Sequence, residues 1–189
     1  MEESVVRKLG TPLTEKEAER HFRLQEMLFE FARLFDYDEA SDRAVAIVGP
    51  AFLDTLLSDM LANFLIDDKN EVKRLMQPEG PIGTFGAKVS TCYCLGLIGE
   101  TIKSDLRIVA KVRNRFAHDL RADFSDAQIV NWCSSLRWHR ESVGEPPIGV
   151  SARDLFQVSV NQLVSHLHGL VGVVLFYKRQ RSKRGVAQC

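Results

Sequence analysis

The stretch that decides the fold is "SDRAVAIVGPAFLDTLLSDMLANFLI", residues 41–66. It is long and largely apolar, and a helix of that composition is buried among other helices. Pro50 lies inside it, and because proline removes a backbone hydrogen bond and clashes one turn back, we expect a kink or a break near Gly49. Asp42 and Arg43 at its head are candidates for a buried structural ion pair. The stretch predicts the central helix of a bundle.

Helical spacing of apolar residues recurs on both sides of this central stretch. The first helix follows the capping box "TEKE", which begins at Thr14, and its apolar residues repeat every three or four positions. The predicted helices cover about residues 14–35, 41–66, 69–76, 84–98, 104–118, 125–136 and 151–181. The sequence contains no convincing alternating strand pattern, internal repeat or domain-sized linker. We therefore predict an all-α, single-domain bundle of about seven helices over residues 1–189, with flexible ends at 1–13 and 182–189.

The composition is that of an ordinary globular protein. Of 189 residues, 45% are hydrophobic and 26% are charged, and the formal net charge is +0. Such neutrality argues against a surface that neutralises phosphates everywhere, so any basic surface must be local. The N-terminus has no apolar signal core, and the apolar run at residues 169–177 is too short to cross a bilayer. We expect a cytoplasmic protein with no membrane segment.

The cysteines and histidines give no pattern for a metal site. Cys92, Cys94, Cys133 and Cys189 contain no Cys-x-x-Cys pair and have no nearby His/Cys cluster, so we expect buried free thiols in a reducing cytosol. His166 and His168 do not share a helical face, and we expect them at the boundary of the core. No metal is predicted.

The segment "GPIGTFGAKVS", residues 80–90, superficially resembles a phosphate-binding loop. That loop needs Gly followed directly by Lys and then Ser or Thr, so that amides, ammonium and hydroxyl converge on the phosphates. Here Ala87 separates Gly86 from Lys88, and no strand precedes the segment. We interpret it as a tight connection between helices, and no cofactor is predicted.

The candidate functional residues lie in "KVRNRFAHD", residues 111–119, at the end of the fifth predicted helix. The apolar side chains of this helix share one face, which must point at the core: Ile108, Val109, Val112 and Phe116. Asn114 and His118 are one turn apart and nearly opposite that face, with Arg113 on its border. We therefore expect these three polar side chains to point away from the hydrophobic interior.

A series of cations runs along the polar side of the same helix at four-residue intervals: Lys103, Arg107, Lys111 and Arg115. Like charges at that spacing repel by about 0.2–0.5 kcal/mol per pair, so something must compensate them. The helix dipole favours cations near the C-terminus, but it disfavours Lys103 and Arg107 in the first turns. The alternatives are salt bridges to acidic residues of a neighbouring helix, such as Glu15, Glu17 or Glu19, and a surface that faces an anion or a partner.

The chemistry of Arg113, Asn114 and His118 suits RNA cleavage without a metal. An imidazole with an ordinary pKa of about 6.5 exchanges a proton with a ribose hydroxyl near neutral pH. A guanidinium holds a phosphate with two hydrogen bonds, and an amide orients either group. One copy of this set is sparse, so we expect a homodimer to bring two copies together.

The block from Gly80 to Asp119 resembles the signature region of the mannitol operon repressor family. It contains the Gly-Pro-Ile-Gly motif, a Tyr-x-Leu-Gly-Leu-Ile segment and an arginine followed five positions later by histidine. The resemblance implies an all-helical fold and a regulatory role in sugar uptake. It also implies binding to the phosphocarrier protein of the sugar phosphotransferase system. The family lacks an obvious DNA-reading motif.

A second resemblance is to HEPN domains, helical dimers whose ribonuclease members use Arg-Asn-x-x-x-His. Arg113, Asn114 and His118 match that pattern. Three hypotheses follow: a non-enzymatic regulator that works through protein–protein contact, a HEPN-like ribonuclease, and a direct DNA-binding repressor. In the third, the short turn at Gly99 imitates a helix-turn-helix and the Lys103–Arg115 side of the helix enters a groove.

Overall fold

Eight α-helices and no strand make up the described parts of the computed structural model, residues 15–35, 40–66 and 68–174. The helices are α1 (Glu15–Leu34), α2 (Asp42–Phe64), α3 (Lys69–Met76), α4 (Phe85–Cys94), α5 (Glu100–His118), α6 (Ala127–Ser134), α7 (Trp138–Val143) and α8 (Ala152–Val174). The prediction of an all-α multi-helix bundle is confirmed. The predicted flexible ends, together with Thr14 and residues 175–181, lie outside the described residues.

Helix α2 is the central helix, packed against α1, α4, α5 and α8. Its middle consists of fully buried side chains: Leu53, Leu56, Leu57, Met60 and Leu61. Among the described helices, only α2 is long and apolar enough to cross a membrane. However, 50% of its apolar stretch is buried inside the bundle. Burial of this kind is what a core helix requires.

Of the kink or break expected near Gly49, the break does not occur, because α2 runs without interruption from Asp42 to Phe64 through Pro50. The surrounding packing explains why. Gly49 is buried, and a Cβ atom there would lie 2.7 Å from Cγ1 of Val160 on α8 and 2.9 Å from the ring of Phe35. The close approach of α8 to this turn stabilises helical backbone that proline disfavours locally.

Asp42 and Arg43, the candidates for a buried ion pair, are joined to other residues instead. Consecutive helix residues point about 100° apart and do not face each other. Asp42 forms an ion pair with Arg153 on α8, whose Nε lies 3.0 Å from Oδ1 of Asp42. Arg43 reaches the end of α5, where its guanidinium donates to the backbone carbonyl oxygens of Phe116 and Asp119.

The boundaries of α4 and α5 differ from the predicted ones. Helix α4 ends at Cys94, not Ile98, because Gly96 adopts φ 71°, a left-handed conformation that glycine accepts readily and that ends helices. The chain then turns, and α5 starts at Glu100 after Gly99, four residues earlier than predicted. The remaining helices that were predicted agree within about two residues over the described chain, which is the usual uncertainty of helix ends.

Helix α7 was not predicted, and a residue from α5 explains its position. The carboxylate of Asp105 is fully buried and accepts hydrogen bonds from the backbone N–H groups of Arg137 (2.9 Å) and Trp138 (2.7 Å). Burial raises the pKa of Asp105, while these two hydrogen bonds act in the opposite direction. The carboxylate supplies at the first turn of α7 the acceptor that a local capping residue usually provides.

The cysteines and histidines lie mostly where expected. Cys92 and Cys133 are buried free thiols, and burial raises the pKa of each to about 12. Cys94 is exposed, contrary to the prediction, because it ends the short helix α4 on its outer side; Cys189 is outside the described chain. His166 and His168 are partly buried. Among the described residues, no group of three or more His, Cys, Asp or Glu side chains is arranged to hold a metal ion.

Candidate functional site

Helix α5 has the two faces that its periodicity predicted. Its buried residues are Ile102, Asp105, Leu106, Val109, Val112 and Phe116, while Ile108 is half-buried. Arg113, Asn114 and His118 are exposed, as expected. The bulk of Phe116 and its ring contact with Phe124, at a centroid distance of 4.9 Å, fix the rotation of the last turns about the helix axis. The imidazole and its neighbours therefore face away from the core.

The three residues of the Arg-Asn-x-x-x-His pattern form one open polar group. Nη1 of Arg113 donates to Oδ1 of Asn114 at 3.3 Å. His118 lies one turn further along the helix and makes no side-chain hydrogen bond or ion pair with any other described residue. The group offers hydrogen-bond donors and a cation to whatever approaches from solvent, and nothing in the described chain covers it.

The tertiary structure separates the four cations at four-residue intervals into two that are paired with carboxylates and two that are not paired within the described chain. Only 14% of the Lys103 side chain is exposed; its ammonium lies 2.6 Å from Oε2 of Glu100 and 3.9 Å from the centre of the Tyr93 ring. Hydrogen bonds from Lys103 and Tyr93 lower the pKa of Glu100. Lys103 is therefore engaged within its own chain and contributes little to an outer surface.

The last cation of the series is also matched. Nη2 of Arg115 lies 3.1 Å from Oδ2 of Asp119 and 3.8 Å from Oδ2 of Asp126. Within the series this leaves Arg107, which approaches Oγ of Ser90 at 3.5 Å, and Lys111, for which the described chain offers no carboxylate partner. Two of the four cations that a DNA groove was expected to receive are thus already paired, and direct DNA binding stays a prediction.

The carboxylates that compensate the series are not the ones proposed from the sequence. Neither Glu15 nor Glu19 pairs with this series, and the side chain of Glu17 lies outside the described part. The partners come from α5 itself and from the turn that follows it, because α1 packs mainly on α2. The spacing predicted repulsion among the four cations, but it did not predict which carboxylates compensate their charges.

Two features of this region had not been singled out from the sequence for this site. Arg43 holds the end of α5 through the carbonyl oxygens of Phe116 and Asp119, and only the tertiary structure brings it there. Leu120, in the turn after α5, is 90% exposed and is followed by the exposed Arg121. An apolar residue within the polar run "HDLRAD" is the signal that sequence reading could have used.

We define the α5 surface by its exposed members: Arg107, Lys111, Arg113, Asn114, His118, Leu120 and Arg121. It combines several cations with one prominent apolar side chain. Arginine is enriched in protein–protein interfaces, whereas a phosphate backbone offers a leucine no apolar contact.

Comparisons with known proteins address the fold. Neither the family models nor the curated proteins that were searched contain a match. Among solved structures, the chain is similar to a chain in the X-ray structure of the MtlR–HPr complex from Escherichia coli. The TM-score is 0.52, with 19% sequence identity, covering 82% of this chain and 98% of that chain. The chain has an MtlR-like fold. The all-helical architecture implied by the resemblance to the mannitol operon repressor family is therefore confirmed, and MtlR itself is a protein that forms a complex with HPr.

Proposed function

We propose that this chain is a regulator of the MtlR type that acts through protein–protein contact and binds HPr, the phosphocarrier protein of the sugar phosphotransferase system. The observation that carries the proposal is the MtlR-like fold, matched over 98% of a chain from the MtlR–HPr complex. As a partner of a phosphocarrier protein, the regulator would act in the cytoplasm, and we propose a homodimer as its active form. The activity proposed is binding, not catalysis.

The α5 surface is our candidate for the protein contact. Lys111 and Arg121 have no ion-pair partner in the described part of the chain, and Arg113 touches only the amide of Asn114. Charges that stand free on a rigid helix steer an oppositely charged partner and fix its orientation. Leu120 adds the apolar contact that a purely electrostatic surface lacks. This combination supports recognition of a protein rather than of a simple anion.

Isothermal titration calorimetry of the full-length chain with HPr from the same organism tests the proposal. We expect saturable binding, weakened at least about tenfold by the double variant Lys111→Glu/Arg113→Glu, since reversed charges oppose an acidic partner. Arg74→Glu, an exposed charge reversal on α3, serves as the control for a change outside the α5 surface and should bind as the wild type does. Absence of heat with well-folded protein would remove the proposed function. Binding that survives the double variant would remove only the α5 surface as its contact.

A second candidate function is metal-independent RNA cleavage of the HEPN type. The observation that favours it is the open group of Arg113 and Asn114, joined at 3.3 Å, with exposed His118 one turn away. In that reaction His118 would serve as acid and base, Arg113 would hold the phosphate and Asn114 would orient it. The expected result is cleavage of single-stranded RNA in the presence of EDTA, lost in His118→Ala. Intact RNA after incubation with a folded dimer would eliminate this function.

A further inference from the structure

A groove of about 590 Å³ lies among α1, α2 and α3, and none of the residues that line it belongs to α5. Its volume is within the range of about 300–1,000 Å³ found for small-molecule sites. Most of its apolar lining comes from side chains that are buried or half-buried: Leu24, Met27, Ala62, Val72, Met76 and Val171. The groove therefore offers an apolar floor that is formed before any ligand arrives.

The outer wall of the groove, α3, is fixed at both ends. At its start the carboxylate of Asp68 accepts from the backbone N–H groups of Asn70 and Glu71, both at 3.2 Å. After its end the N–H of Ile82 donates to the carbonyl oxygen of Leu75 at 2.9 Å. Because the ends are tied down, α3 is held in position although it buries no residue completely.

The Gly-Pro-Ile-Gly motif makes the anchor at the end of α3 possible. A Cβ atom on Gly80 would lie 2.4 Å from the carbonyl oxygens of Arg74 and Leu75. A Cβ atom on Gly83 would lie 2.2 Å from the carbonyl oxygen of Gln77. These distances exclude any side chain, so both glycines are required for the backbone to close against itself. The motif thus shapes the wall of the groove.

The rim of the groove carries three cations that form no ion pair with another described residue, and two carboxylates also line the groove. The cations are Arg23 on α1 and Lys69 and Lys73 on α3, and all three are exposed. The two acidic residues of the lining have partners of their own: the carboxylate of Asp68 caps α3, and Asp59 is also engaged in an interaction. A negative group at the rim would gain from the three cations without displacing an existing pair.

We propose that this groove binds an amphipathic anion, a medium-chain alkyl carboxylate, with the alkyl chain on the apolar floor and the carboxylate at Arg23, Lys69 and Lys73. A free sugar matches this chemistry less well, because it has no alkyl chain to cover the apolar floor around Leu24 and Met27. The site is independent of HPr binding and of the α5 surface. It would give a regulator of this fold a place for a small effector.

Calorimetric titration of the full-length chain with decanoate below its micellar concentration tests the proposal, with decanol as the uncharged ligand of equal chain length. Decanoate should bind saturably at one site per chain. The rim variant Lys69→Glu/Lys73→Glu should weaken decanoate by about tenfold while leaving decanol unchanged, since only the headgroup contact is lost. Lys111→Glu, an exposed lysine outside the groove, should leave both ligands unchanged.

A second variant tests the floor of the groove. Ala62→Phe adds a ring to it and should reduce binding of decanoate and decanol alike. The rim positions are exposed, so the rim variant keeps the test valid even where Ala62→Phe fails to fold. No saturable binding of decanoate to the folded wild type overturns the proposal. So does binding that the rim variant leaves intact, or that Lys111→Glu weakens equally.

Discussion

The guanidinium of Arg43, at the start of α2, donates a hydrogen bond to the backbone carbonyl oxygen of Asp119 at 3.0 Å. It also donates to the carbonyl oxygen of Phe116 in the last turn of α5. The last carbonyl groups of a helix have no partner within the helix, and a positive charge there is favoured by the helix dipole. One side chain of the central helix thus closes the helix end that carries His118.

Replacing Arg43 should loosen this end of α5. Arg43→Ala removes two charge-assisted hydrogen bonds, so we expect the free energy of unfolding to fall by about 1–3 kcal/mol. Urea denaturation measures the loss, and amide exchange at residues 116–121 should accelerate more than exchange in α8. Arg74→Ala, which removes an exposed pair with Glu71 on α3, should change stability little. Equal losses in the two variants would show that Arg43 has no special role.

The crossing of α2 and α8 at Gly49 should not tolerate a methyl group. Because the added Cβ would meet Val160 at 2.7 Å, we expect Gly49→Ala to destabilise the fold by about 1–3 kcal/mol through overpacking. Gly169→Ala in α8 is the matched control, since nothing lies within 4 Å of its Cβ position. There alanine should stabilise by about 0.4–1 kcal/mol, because it restricts the unfolded chain. Thermal denaturation of both variants gives the sign of each change.

The ion pair between α2 and α4 should respond unequally to loss of its two members. Lys88 is buried, and its ammonium lies 2.9 and 2.8 Å from the two carboxylate oxygens of Asp54. Asp54→Ala leaves that ammonium without a counter-charge and should destabilise by about 1–3 kcal/mol. Lys88→Met keeps an apolar stem of similar length and should destabilise less. The opposite order in urea denaturation would contradict a buried, uncompensated charge as the cause.

The tautomer of His139 follows from its neighbour. The hydroxyl of Ser159 donates its single proton to the carbonyl oxygen of Leu155 at 2.7 Å, so it acts as an acceptor toward Nδ1 of His139 at 3.0 Å. Nδ1 therefore carries the proton. Nε2 is buried and has no hydrogen-bond partner in the described part of the chain. Protonating Nε2 would bury an N–H group and a positive charge without an acceptor.

Stability should therefore decrease on mild acidification. Burial lowers the pKa of His139 below 6.5, with Arg140 acting in the same direction and Asp105 and Glu145 opposing it. Between the lowered folded value and the ordinary unfolded value, the unfolded chain binds more protons, so the free energy of unfolding falls as pH falls through about 6.5. Burial also lowers the pKa of His166, which adds to the effect.

Urea denaturation at about pH 7.5 and about pH 5.5 measures this dependence, in a range that stays above the titration of ordinary carboxylates. His139→Gln keeps a donor toward Ser159 but does not titrate, so it should lose less stability over this range than the wild type. His118→Gln, the same substitution at an exposed position outside the core, is the control. A slope that persists undiminished in His139→Gln would assign the acid sensitivity to other groups.

The sequence predicted those features of the candidate site that follow from the helical periodicity of α5. The spacing of Val109, Val112 and Phe116 fixed which side of α5 is buried, and with it the exposure of Asn114 and His118. The partners of Lys103 and Arg115 were not predictable, because they depend on where α5 begins and on the turn that follows it.

The sequence by itself determined the helical class, the identity of α2 as the central helix and the solvent-facing side of α5, because all three follow from local apolar periodicity. Only the tertiary structure decided that α2 continues through Pro50, that α7 forms, and that α3 stands off α1 and α2 to leave a groove. These features rest on contacts between distant residues, such as the carboxylate of Asp105 with the N–H of Trp138. Such contacts leave no periodic trace in the chain, since each joins two positions that are neighbours only after folding.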